Sequence, residues 1–137
     1  MNDDEMFYVE KILESFGYPP ASARVYSHLL FAGRPMTITE LSRETGLGKS
    51  TVSTALRLLE HDGLVYYTKL GKKKLYSARS AFHRLLLFPT RILRGYIVPL
   101  RKLLEKEGTH EELLKDIIEF EKITRKIITF LEESAEE

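Results

Sequence analysis

At 137 residues, with 43% hydrophobic and 30% charged residues, the chain has room for one domain, or one domain with a helical arm, on a modest core and a soluble surface. It contains no cysteine, which excludes disulfides, thiolate zinc sites and a cysteine nucleophile and fits a reducing compartment. The formal net charge of +1 hides a segregation, because residues 1–36 sum to −2 and residues 108–137 to −5, whereas residues 37–80 and 81–107 each sum to +4.

A basic middle between acidic ends suggests that one part meets a polyanion while another stays away from it. The opening MNDDEMF is acidic and lacks the basic-then-apolar plan of a signal peptide. The longest apolar region, Phe82 to Leu104, is interrupted by Arg84, Arg91, Arg94, Arg101 and two prolines, so it does not suit a bilayer span. A cytoplasmic protein with no membrane partner is expected.

In chain order, a first helix is expected from about Asp3 to Phe16, with Val9, Ile12, Leu13 and Phe16 on its inner face and Gly17 as its stop. Pro19 and Pro20 suit the start of a second helix, which carries Val25, Leu29 and Leu30 inward and ends at Gly33. Thr37 and Glu40 form a capping box that opens a short third helix, burying Ile38 and Leu41 and ending at Gly46. A fourth helix begins near Lys49, turns Val52, Ala55, Leu56 and Leu59 inward, and ends at Gly63. The period then changes. Residues 64–70 and 74–77 are rich in β-branched and aromatic residues and flank Gly71-Lys72-Lys73, so they read as a hairpin with a basic tip. Two helical segments, about 81–107 and 110–133, complete the chain, broken at Gly108-Thr109 and, within the first, at Pro89 and Pro99.

Two short helices joined through a glycine are the mark of a helix-turn-helix. Here the turn is Glu44 to Gly48, with Gly46 at positive φ, Leu47 beneath it and Ser42 at a place where alanine is usual. The opposite face of the fourth helix, the recognition helix at about 49–62, displays Lys49, Ser50, Thr51, Ser53, Thr54 and Arg57. Such a face fits the major groove of double-stranded DNA, with hydroxyls and a guanidinium toward base edges and phosphates. Gly48-Lys49-Ser50-Thr51 also matches the end of a nucleotide-binding loop, but that loop needs a glycine at position 43, which is Arg43 here, and a strand leading in. The nucleotide reading is rejected. In the hairpin, the wing at about 64–77, Lys69, Lys72, Lys73 and Lys74 are placed to grip the sugar-phosphate backbone or enter the minor groove. Lysines at a hairpin tip are also a common solubilising device.

The run from Thr37 to Ser77, with TVS..L..LE..GLV matched at Thr51 to Val65, resembles the winged-helix domains of the MarR, GbsR and TrmB-like regulators. The resemblance covers about a third of the chain strongly. It implies a homodimeric transcription factor of mainly α architecture: a winged helix-turn-helix domain at 1–80 with a β-hairpin wing, and C-terminal dimerisation helices at 81–137. It also implies a possible small-molecule effector held between the DNA-binding head and the dimer helices; Phe88, Tyr96 and Phe120 are candidate lining residues, and core packing accounts for them equally well.

In the last helix Leu113, Ile117, Phe120, Ile127 and Leu131, with Thr124 in the sixth place, repeat at alternating steps of four and three, a coiled-coil seam. Leu114, Ile118, Ile123, Ile128 and Phe130 widen the stripe, and a second subunit is its simplest cover; packing back within one chain is the alternative. A symmetric dimer would read a pseudo-palindromic site. His28, His61, His83 and His110 show no metal-ligand spacing, and no nucleophile-and-base or paired-carboxylate arrangement stands out, so neither enzyme nor cofactor is expected. The rival reading is a winged-helix protein-interaction module without DNA readout. The basic hairpin and the hydroxyl-rich face count against it, because such a surface would favour exposed apolar residues.

Overall fold

A computed structural model of the chain describes residues 3–80 and 82–135. It comprises two compact units, Met1–Leu85 and Leu86–Glu137.

The first unit is built around its second helix. Helix α1 spans Asp3–Ser15, α2 Pro20–Ala32, α3 Ile38–Thr45 and α4 Lys49–His61. Pro20 opens α2, where its missing N–H has no intrahelical role, and Val25, Tyr26 and Leu29 bury themselves from there. Helix α2 packs against α1, α3 and α4, so Leu13, Leu41, Val52, Leu56 and Leu59 close one core around it. Two buried hydroxyls are satisfied within that core: Tyr18 donates to the Asp62 carboxylate and Tyr26 to the Arg79 carbonyl. On α1 the inner face is narrower than its apolar pattern suggests. Met6 and Leu13 are buried whereas Ile12 is exposed, since one residue rotates a helical side chain by about 100° away from its neighbour.

The hairpin consists of β1, Val65–Leu70, and β2, Lys73–Ala78, in register Leu70↔Lys73 through Val65↔Ala78. The turn is therefore the two residues Gly71-Lys72, one fewer than the sequence suggests. Gly71 takes φ +64°, and no non-glycine among the described residues has positive φ, which is the order of signs of a II′ hairpin turn. Met36 forms a one-residue third strand, exchanging two 2.8 Å backbone hydrogen bonds with Tyr76. That bridge ties the hairpin to the start of α3.

A 3₁₀ segment, Phe82–Leu87, follows. The second unit contains α5, Phe88–Ile92, a π-helical turn, Leu93–Ile97, α6, Val98–Glu107, and α7, Glu111–Ala135. Both prolines behave as segment starters: Pro89 is the second residue of α5 and Pro99 the second of α6. Helix α7 packs against α5, the π turn and α6. Leu93, Ile97, Leu104 and Ile117 form the buried cluster. The inward positions of α7 are Leu114, Ile117, Glu121, Thr124, Ile128 and Leu131, in steps of three and four. Glu121 is accommodated because Arg101 of α6 reaches it, Nε to Oε1 at 2.6 Å, while Arg101 also pairs with Glu105 at 3.0 Å.

The hydrogen bond from Arg101 holds the Glu121 carboxyl below the ordinary carboxylate range, against the opposing effect of desolvation. A carboxyl whose folded pKa is depressed stabilises the fold above its unfolded pKa, and that contribution disappears as pH falls through the folded value. Glu121→Gln should therefore lower the thermal midpoint at pH 7, and the difference should shrink as pH is taken down below the ordinary carboxylate range, as followed by circular dichroism. A midpoint difference that keeps the same size throughout would contradict this assignment.

Candidate nucleic-acid interface

The turn between α3 and α4 is held by side chains as well as by its glycine. Thr37 accepts from the Glu40 N–H while the Glu40 carboxylate accepts from the Thr37 N–H, so the capping box starts α3 as its sequence indicates. At the other end Gly46 takes φ +76° and donates its N–H to the Ser42 carbonyl. Buried Thr45 donates to the Leu41 carbonyl at 2.6 Å and accepts from the Leu47 N–H at 3.2 Å. Ser42 donates to the Leu47 carbonyl at 2.6 Å. Ser42, standing where alanine is usual, is thus a strut across the turn, and it fixes the direction in which α4 leaves.

Helix α4 leaves with its apolar side against α2 and α3. Lys49, Ser50, Thr51, Thr54 and Arg57 are exposed on the other side, while Ser53 is half-buried. Thr54 back-bonds to the Ser50 carbonyl at 3.1 Å, and Arg57 lies 3.5 Å from the Thr54 hydroxyl. The helix is preceded by Gly48, and no side chain caps its first turn. Its leading amides and Lys49 therefore face solvent together.

In the wing, Lys69, Lys72, Lys73 and Lys74 are all exposed. Lys69 and Lys74 are direct cross-strand partners, an arrangement that like charges make unfavourable for an isolated hairpin. Lys74 sits 4.4 Å over the Tyr67 ring, which relieves part of that repulsion. Leu70, 69% exposed, stands at the tip beside them. An open groove of about 570 Å³ runs between the wing and α3, lined by Lys72, Lys73 and Lys74 on one side and by Thr39 and Arg43 on the other. Ile38, expected in the core, is half-buried on its wall. The one acid of the groove, Glu40, is turned toward Arg34 at 2.9 Å, and that hydrogen bond keeps its carboxyl below the ordinary range. Thr39 and Arg43 join the groove only through the fold; Arg43 belongs to the basic excess of residues 37–80, and nothing in the sequence singles out Thr39.

In the second unit Leu113, Phe120 and Ile127 are exposed, Ile117 is buried against Leu93, Ile97 and Leu104, and Leu131 is half-buried. Tyr96 is 73% exposed and Phe120 49%, while Phe88 lies under the Arg91 guanidinium. Neither of the two cavities described in this unit is lined by Phe88, Tyr96 or Phe120. No group of three potential metal ligands occurs among the described residues, and no described helix is long and apolar enough to cross a membrane.

The model of the family described as "Sugar-specific transcriptional regulator TrmB" matches residues 13–81, from the end of α1 through the wing. The chain belongs to this family. Its described fold is the winged helix, and the family it belongs to is one of transcriptional regulators. It is 26% identical over 114 residues to the "Putative HTH-type transcriptional regulator YvaV" of Bacillus subtilis (strain 168), which covers 80% of this chain and 64% of that protein. The chain thus spans under two thirds of that relative's length. A crystal structure of a transcriptional regulator shares its fold with a TM-score of 0.64 at 13% identity, covering 96% of each chain. A MarR-family regulator from Silicibacter pomeroyi overlays with a TM-score of 0.47 at 21% identity, covering 77% of this chain and 84% of that one.

The buried Thr45 hydroxyl provides a direct check on the turn. Thr45→Val keeps the side-chain shape but leaves the Leu47 N–H without its acceptor, which costs about 1–3 kcal/mol. Urea denaturation should show a loss of that size, and an unchanged midpoint would mean that the turn does not depend on this hydroxyl.

Proposed function

We propose that the chain is a sequence-specific, double-stranded DNA-binding regulator that acts as a homodimer, with α4 in the major groove and the wing on the backbone or minor groove. The observation that carries this reading is the pairing of two uncovered surfaces in one unit: the Lys49–Arg57 face of α4 and the lysine-rich hairpin tip. Lys49, Lys69, Lys72 and Lys73 have no ion-pair partner among the described residues. A phosphate backbone would supply the counter-charge that the Lys69–Lys74 juxtaposition lacks. Arg43 and Thr39 extend the same basic surface on the far side of the wing groove, where they would contact phosphates and fix register without reading sequence.

The dimer rests on a separate feature. Phe120, Ile123 and Ile127 form an uncovered strip on α7, continued by Leu113 and Phe130. Steps of three and four place these residues beside, and not within, the seam that packs inside the unit. A second copy of the same strip is a self-complementary cover. Two recognition helices related by a two-fold axis would read half-sites about one helical turn apart.

The gel shift of the chain on its own upstream DNA tests the DNA-binding part. Binding should weaken steeply as salt is raised. Arg57→Ala should shrink the preference for that site over arbitrary duplex by about 1–3 kcal/mol. The double change Lys72→Ala/Lys73→Ala should weaken all duplexes alike and flatten the salt dependence by about one phosphate contact per lysine. Binding that ignores salt, or a wing variant that loses only one sequence, would contradict these roles. For the dimer, light scattering should give twice the chain mass for the wild type and the single-chain mass for Phe120→Glu/Ile127→Glu with helicity retained; a wild type that stays monomeric at about 50 μM, roughly fifty times a micromolar Kd, would refute it.

A further inference from the structure

The second unit contains a cleft that neither the DNA reading nor the dimer strip uses. It measures about 530 Å³ and lies between the α5–π–α6 helix and the C-terminal half of α7. Leu93, Val98 and Ile128 are its apolar lining, and Thr90, Arg94, Arg125, Thr129 and Glu132 its polar lining. On α7 the lining residues 125, 128, 129 and 132 share one face, whereas 120, 123, 127 and 130 lie nearly opposite. A second copy covering the apolar strip would leave this cleft open.

The backbone beneath the cleft is unusual in a way that bears on binding. The Val98 N–H donates to the Leu93 carbonyl, one residue further back than in an α-helix. The Arg94 carbonyl thereby loses its ordinary donor. The next donor in line would be residue 99, which is a proline and has no N–H. The π turn thus sets a carbonyl free of its helical partner on a residue that also lines the cleft, and π turns recur at functional sites. Arg94 has no ion-pair or hydrogen-bond partner among the described residues. Arg125 is held only loosely, by Glu121 at 3.4 Å.

We infer that this cleft is a binding site for a small hydroxylated organic anion. The arginines that line it, Arg94 and Arg125, take its phosphate or carboxylate, which arginine forks recognise with two parallel hydrogen bonds. The threonine hydroxyls, Glu132 and the freed Arg94 carbonyl take its hydroxyl groups, and Leu93 and Ile128 cover its carbon skeleton. A ligand here bridges the π turn to α7 and is thereby positioned to act as an effector. Only that consequence rests on the regulator reading; the binding itself does not.

The test is a chemical-shift titration of the 15N-labelled full chain with glycerol 3-phosphate, with lactate, and with glycerol as the uncharged control. Saturable shifts are expected at Thr90, Arg94, Arg125 and Thr129 with an anionic probe and none with glycerol. A response to glycerol 3-phosphate alone assigns a phosphate ligand, and a response to lactate alone a carboxylate. Arg94→Gln and Arg125→Gln should each weaken the response about tenfold or more, while Lys72→Gln/Lys73→Gln leaves it unchanged. The inference is overturned by absence of saturable shifts with all three probes, by an equal response to glycerol, by shifts confined to α4 and the wing, or by an undiminished response in Arg94→Gln. Duplex binding by Arg94→Gln without added anion should equal that of the wild type, so a failure here leaves the DNA reading standing.

Discussion

The arrangement depends on the turn between α3 and α4, where a change of chain direction must be made without leaving a polar group unsatisfied. Gly46 supplies the left-handed backbone, and Thr45 and Ser42 take up the Leu47 N–H and carbonyl that the turn removes from any helix. Because those bonds are internal, Val52, Leu56 and Leu59 are free to pack on α2, and the polar side of α4 is forced outward. The exposed hydroxyls and cations are therefore a consequence of the packing. Few alternative orientations of α4 would bury the same apolar residues.

Electrostatics divides the remaining work. The wing concentrates cations on a two-stranded hairpin that would be more stable with fewer of them, since Lys69 and Lys74 stand directly opposite. Local destabilisation of that kind is tolerable because the Met36–Tyr76 bridge and the buried Tyr76 anchor the base of the hairpin to the core. In the second unit the logic is reversed. A charged position in the α7 seam, Glu121, is kept by pairing it with Arg101, and the neighbouring apolar positions are left uncovered.

What could be read in the sequence was what local chemistry decides. The capping box joins residues three apart, glycine stops announce themselves, and the inward face of α4 follows a single period, so α2, α3, α4 and the hairpin stand close to where pattern alone places them. The roles of Ser42 and Arg43 were hidden because each depends on a group brought near only by folding: the Leu47 carbonyl for one, the wing lysines for the other. The second unit was harder for a different reason. Two prolines indicate breaks, but nothing local to them specifies an i→i−5 turn. In α7 two seams overlap, one through Leu113, Phe120 and Ile127 and one through Leu114, Glu121 and Ile128. Both share Ile117, Thr124 and Leu131, and the internal seam contains a glutamate that pattern reading discounts unless its arginine is known.

The central claim is that α4 and the wing tip lie against DNA. The chain has no cysteine, so a single introduced thiol can carry an iron-EDTA cleavage reagent at one chosen place. Thr54→Cys on α4, Lys72→Cys at the wing tip and Lys122→Cys on α7 are the three positions to compare on the bound upstream duplex. Strand cleavage clustered at the site from positions 54 and 72, at different but adjacent base pairs, and none from position 122 is the result this account predicts. Cleavage from position 122 with none from position 54 would contradict it.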